Sequence, residues 1–136
     1  MMVMLVALVV TGYTVKAQCN KTVEWSGSKM ELVDNDGKVI AAMEDQVKAV
    51  ISKTEVTLFK GGGDESIGGK ITSSTCNWTE PFKTGSSVIK ADIIGRQGEI
   101  KPSTITLEAR EGKIFLWVEM DGRKTKVTID KYEEKS

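Results

Sequence analysis

The second half of the chain keeps one rhythm: runs of alternating apolar and polar residues, each ended by a turn that carries glycine. In residues 87–94, Ile89, Ala91 and Ile93 alternate with Lys90 and Asp92, and Gly95-Arg96-Gln97-Gly98 then turns the chain. Residues 104–109 repeat the pattern with Ile105, Leu107 and Ala109, and Glu111-Gly112 joins them to residues 113–120. There Ile114, Leu116, Val118 and Met120 share one face while Phe115 and Trp117 occupy the other. Asp121-Gly122 leads into residues 124–132, with Val127 and Ile129 facing in and Lys124 and Lys126 facing solvent. A period of two is the signature of a half-buried strand, and short glycine turns join antiparallel neighbours. The expectation is an all-β antiparallel meander of about eight strands, closing as an up-and-down barrel or splitting into a β-sandwich. Residues 113–120, apolar on both faces, are the candidate for the most central strand.

The first half is less regular. Val23 and Trp25 share a face of a first strand that breaks at Ser26-Gly27, and Asn35-Asp36-Gly37 is a tight-turn signal. Asp34-Asn35-Asp36-Gly37 also opens like a calcium loop, but the remaining ligands and the distal Glu are missing, so a turn is expected. Residues 38–52 carry two patterns. Ile40, Met43, Val47 and Val50 fall at helical spacing among good helix formers, while Val47, Ala49 and Ile51 alternate as a strand. A strand is favoured for 47–51, and 40–46 is left as one short helix or a twisted strand. Gly61-Gly62-Gly63-Asp64-Glu65, with Gly68-Gly69 close behind, lacks the Gly-Lys-Ser/Thr ending of a phosphate loop and reads as a flexible hairpin loop.

Residues 69–85 look like the anchor of the mature chain. Cys76 and Trp78 fall on one face of a strand together with Ser74 and Thr72, and Pro81 and Gly85 stop it. The chain has two cysteines, so Cys19 is the partner available to Cys76. Residues 1–10 form an apolar run of signal-peptide length, too short to span a bilayer, and Val15-Lys16-Ala17 offers small residues at a cleavage site. The expected division is a signal peptide at 1–17 and a single β domain at 18–136, although no Lys or Arg precedes Lys16. An exported chain with two cysteines reads as carrying one disulfide, Cys19 to Cys76, and closing so long a loop stabilises a fold by about 4 kcal/mol in the chain-entropy model. A lipoprotein anchored at Cys19 is the alternative, weakened because Gln18 stands where a lipobox needs a small residue.

Composition excludes more than it suggests. The 136 residues are 40% hydrophobic and 28% charged, which suits one domain with a modest core. Formal net charge is zero, so no electrostatic case exists for nucleic acid, and no stable membrane insertion is expected after signal removal. The chain has no His, which removes the commonest general base and metal ligand; no catalytic residue, metal or cofactor is expected. Asn20-Lys21-Thr22 and Asn77-Trp78-Thr79 match the glycosylation pattern, informative only in a eukaryotic secretory pathway.

The succession of a leader, an early Trp25, hairpins, Cys76-Asn77-Trp78 followed by Pro81-Phe82, and a basic last strand resembles small exported bacterial β-barrel proteins of lipocalin-like type. The Gly-x-Trp signature of true lipocalins is absent, since Val23-Glu24 precede Trp25. The resemblance implies ligand binding. The function expected is therefore that of a non-catalytic, exported (periplasmic or extracellular) binding module for an apolar small molecule or lipid. The alternative is an exported protein-interaction, inhibitor or envelope structural protein. Phe115, Trp117, Trp78 and Trp25 are the candidate ligand or partner contacts, against the commoner role of such aromatics as core or cross-strand pairs. Trp117, opposite the Ile114–Leu116–Val118 face, needs a ligand cavity, a covering helix such as 40–46, or another protein to hide it. Thiol counting on the denatured, unreduced mature protein should find no free cysteine; two free thiols or a lipid on Cys19 would refute the pairing.

Overall fold

The computed structural model describes Cys19 and residues 21–61 and 65–135; the leader expected at 1–17 and Gly62-Gly63-Asp64 lie outside the described residues. Eight strands follow one another: β1 (Thr22–Val33), β2 (Val39–Ile51), β3 (Glu55–Lys60), β4 (Ser66–Glu80), β5 (Thr84–Ile94), β6 (Ile100–Arg110), β7 (Lys113–Met120) and β8 (Arg123–Lys135). Each pairs antiparallel with the next, and β8 returns to pair with β1, so the sheet is a closed up-and-down barrel rather than a sandwich. A closed ring has no centre, and β7 is flanked as every other strand is. Its two apolar faces have another cause, described below.

The alternation read from the sequence sets the inside of the ring. Ile89, Ala91 and Ile93 of β5, Ile105, Leu107 and Ala109 of β6, Ile114 and Leu116 of β7 and Val127 of β8 are all buried. Val118 is half-buried against the same core, and Lys124 and Lys126 lie on the outer wall.

Several expectations change in the first half. Residues 40–46 form no helix: β2 is continuous and pairs with β1 as Met30↔Met43, Glu31↔Ala42 and Leu32↔Ala41. The helix-forming composition is overridden because this segment supplies the hydrogen-bond partners of β1 on one side of the ring, and a weak local propensity cannot compete with a ladder. Ser26-Gly27 is a bulge and not a break. The register slips between Gly27 and Lys29 on both neighbours, so Val23 and Trp25 face inward before it and Met30 after it. Gly27 is required there, since a Cβ would strike the Thr128 carbonyl oxygen and the Val127 side chain. The displaced Ser28 is held by Asp130, whose carboxylate accepts from its amide at 3.0 Å and its hydroxyl at 2.8 Å.

Gly68 and Gly69 belong to β4, not to a loop. They pair with Thr57 and Val56, and a side chain on Gly69 would collide with the Asp92 backbone of β5. A second bulge between Ile71 and Ser73 turns Thr72 outward, so the inner face of β4 runs through Ile71, Ser74, Cys76 and Trp78. The turn at 34–38 behaves as expected of a turn. The Asp34 carboxylate accepts from the amides of Asp36 and Lys38, both at 2.9 Å, which places its charge at the service of its own backbone.

Residues 133–135, polar as they are, form the strand end that closes the ring. Glu133, Glu134 and Lys135 pair with Glu24, Val23 and Thr22. Glu24, on the outer wall of β1, bridges both neighbours: Lys48 of β2 lies at 3.1 Å and Lys135 of β8 at 3.3 Å. The hydrogen bond from Lys48, with that from Lys135 and the charges of both, holds the Glu24 carboxyl below its ordinary range, against partial burial that acts the other way. Because the folded value is depressed, the contribution to stability is present above the ordinary carboxylate range and is lost as pH falls through the folded value. Glu24→Gln should therefore cost about 1 kcal/mol at pH 7 and progressively less below about pH 4, measured by paired thermal melts. An undiminished penalty in acid would show that the charge of Glu24 is not what the seam uses.

Candidate functional site

In an up-and-down barrel alternate turns share an end. The β2–β3, β4–β5 and β6–β7 turns lie at one end with the disulfide, and the β1–β2, β3–β4, β5–β6 and β7–β8 turns lie at the other. The two ends are built differently.

The disulfide end is closed. Phe82, in the β4–β5 turn with φ of 61°, folds over the end and stacks on Tyr132 at 4.3 Å, and both rings lie against buried Trp25 at 5.6 and 5.9 Å. Cys19 is joined to Cys76 across a separation of 57 residues. Trp78 donates its ring N–H to the Ser87 hydroxyl at 2.7 Å, and that oxygen lies 3.8 Å from the Cys19 sulfur. Gly85 is not a turn residue. It sits in β5 beneath Trp78 with φ of 145°, where a Cβ would approach the Trp78 ring to 3.0 Å. The space left at this end is about 40 Å³, bordered by Trp25, Ser74, Ser87 and Leu107. Trp25 Nε1 is buried there without a hydrogen-bond partner among the described residues.

The opposite end is open. A cavity of about 380 Å³ descends from the turns to the core, with walls that include Met30, Leu58, Ile67, Leu116, Val118 and Val127. Its mouth carries Lys60, Glu65, Arg96 and Arg123. The Arg96 guanidinium is paired with the Glu65 carboxylate, joining the β5–β6 turn to the start of β4 across the rim. The cavity exists because the inner positions near this end are filled by Val118, Thr125, Ile67 and Leu58, while the tryptophans and the Phe82–Tyr132 stack are spent on the other end.

None of the four aromatics singled out in the sequence lines this cavity. Trp25 and Trp78 are core at the closed end. Phe115 and Trp117 lie on the outer wall, half-buried, and the second apolar face of β7 is explained by what covers them. Lys126 sits over the Phe115 ring at 4.4 Å, Lys124 and Lys126 over the Trp117 ring at 5.1 and 5.3 Å, and Trp117 donates to the Glu108 carboxylate at 2.9 Å. The lysine stems of β8 and Glu108 of β6 thus shelter the rings from both sides. Of the residues that shape the cavity, Leu116, Val118 and Val127 were legible as inward-facing strand positions and Met30, Leu58 and Ile67 were not, and nothing local distinguishes a position beside empty space from one beside a filled core.

Fold and cavity together define the class: a closed eight-stranded barrel, plugged by aromatics and a disulfide at one end and open to an apolar cavity at the other. Comparison with protein-family models, curated proteins and solved structures returns no match to the chain. Trp117→Ala should cost about 1 to 2 kcal/mol, the worth of its cation–π contacts and its bond to a carboxylate, without altering any ligand binding in the barrel. A fall in cavity binding without a stability loss would reassign the outer wall as the site.

Proposed function

We propose that the protein is an exported, non-catalytic binding module that holds an apolar small molecule or lipid in the open end of its barrel. The observation that carries this reading is the 380 Å³ cavity with apolar walls, within the range of roughly 300 to 1,000 Å³ typical of ligand pockets. The disulfide points to an oxidising compartment, which agrees with a leader at 1–17 and a periplasmic or extracellular address. With Cys19 in the disulfide no thiol remains for acylation, which favours this address over a lipoprotein anchored at Cys19. The apolar faces of the strands turn inward and the charged ones outward, the reverse of a barrel that spans a bilayer, and this supports a protein without stable membrane insertion. The lipocalin-like resemblance agrees with the closed barrel and its single open end.

A second reading, an exported interaction protein, is favoured by a different observation. Val39, Ile40, Ile94 and Ile100 are exposed on the β1–β2 and β5–β6 hairpins, around the mouth and not on the Phe115–Trp117 wall. A partner on those tips would cover the cavity as well.

The neutral dye N-phenyl-1-naphthylamine should bind with a fluorescence rise at one site per chain. Leu58→Trp and Thr125→Trp, which fill the cavity from opposite walls, should each abolish that rise while the variant retains its cooperative melt. Undiminished dye binding in both folded variants would place the apolar site elsewhere and remove the reading.

A further inference from the structure

Resting on the cavity reading above, we propose that the ligand is an anionic amphiphile, an apolar tail lying within the barrel and a negatively charged headgroup held at the mouth by Lys60 and Arg123. Strand alternation aims both cations. Val56 and Leu58 of β3 face inward, and Lys60 is the next inner position, the last of its strand. Thr125 and Val127 of β8 face the cavity, and Arg123 is the inner position that precedes them, the first of its strand. Two strands on different sides of the ring therefore place a cation at the point where the inner face meets solvent.

The charge balance there is uneven. Among the described residues, the cavity lining includes Lys60, Arg96 and Arg123 against one carboxylate, Glu65. Glu65 is engaged by Arg96, which leaves Lys60 and Arg123 without an ion-pair partner among the described residues. Some cations of the barrel are engaged by carboxylates, Lys48 and Lys135 by Glu24 and Lys101 by Asp121 at 2.8 Å, and the chain as a whole is neutral. An excess of cations gathered at the mouth of an apolar cavity attracts anions and repels cations, and low-dielectric walls strengthen that field. An apolar tail entering between Leu58, Ile67, Leu116 and Val118 leaves a headgroup at the level of Lys60 and Arg123, where a guanidinium can bind an oxyanion through paired hydrogen bonds. A neutral ligand would forgo those bonds, and a cationic one would meet repulsion.

The test uses three probes with the same tail, dodecanoate, dodecanol and dodecyltrimethylammonium, each below its micellar concentration at pH 8. Binding is read by displacement of N-phenyl-1-naphthylamine and by calorimetry. Dodecanoate should bind about tenfold tighter than dodecanol at low salt and the ammonium probe most weakly, with the advantage shrinking as salt rises to roughly 0.5 M. Arg123→Gln and Lys60→Gln, both at exposed positions, should each remove several-fold of that advantage and leave dodecanol binding and the melting temperature unchanged. Equal affinity for dodecanoate and dodecanol, or an advantage untouched by both substitutions, would overturn the headgroup assignment while the cavity reading stands. If neither the dye nor any probe binds, the cavity reading falls and this inference with it.

Discussion

The pairing of β1 with β8 is the contact on which the rest of this structure depends. Seven hairpin connections can form from residues near in sequence, but the ring closes only when the first and last strands meet. Until then each would present an open edge of unpaired amides and carbonyls. Closure asks two things of the chain that local patterning does not: a polar tail must be a strand, and β1 must bend. The bulge at Gly27 supplies the bend, and Asp130 satisfies the residue it displaces. Glu24 then ties the seam to β2 through lysines on both sides, so that closure and the register of β2 are held by the same carboxylate.

Once closed, a barrel of eight strands has an interior of limited volume, and this one is divided unequally. The bulky rings of Trp25 and Trp78 occupy one end, where Phe82 and Tyr132 stack across the opening and the disulfide fastens Cys19 to β4. Among the described residues, the inward positions at the other end hold Leu58, Ile67, Val118 and Thr125 and no tryptophan. Space for a ligand follows from this placement of volume: the same side chains spread evenly along the axis would fill the ring and leave no cavity.

The outer wall shows why an apolar pair outside a core does not by itself mark an interface. Phe115 and Trp117 lie on the solvent side of β7, yet Lys124, Lys126 and Glu108 cover and bond them. Long cationic side chains on the neighbouring strand perform the task that a helix, a ligand or a partner would otherwise perform. Val39, Ile40, Ile94 and Ile100, which do remain exposed, sit instead on hairpins around the mouth.

What the sequence determined by itself is the repeating unit. Alternation with period two and glycine turns specify antiparallel hairpins from Ser87 onward, because both signals are local: the face of a strand residue depends on its neighbours two positions away. Two cysteines in the chain likewise left a single disulfide to draw. The tertiary structure decided whatever depends on distant partners. Residues 40–46 are strand because β1 needs a ladder there, and Gly68 and Gly69 are strand because neighbouring backbones approach too closely for a side chain. The bulges at Gly27 and Thr72 shift the inward set by one residue; a periodicity count reads the first as a break and misses the second, placing Thr72 on the inner face of Ser74 and Cys76. The cavity is the furthest from local reading, since Leu58 and Val118 alternate just as Ile105 does. Only the closed ring, with its aromatics gathered at one end, separates a wall of empty space from a packed core.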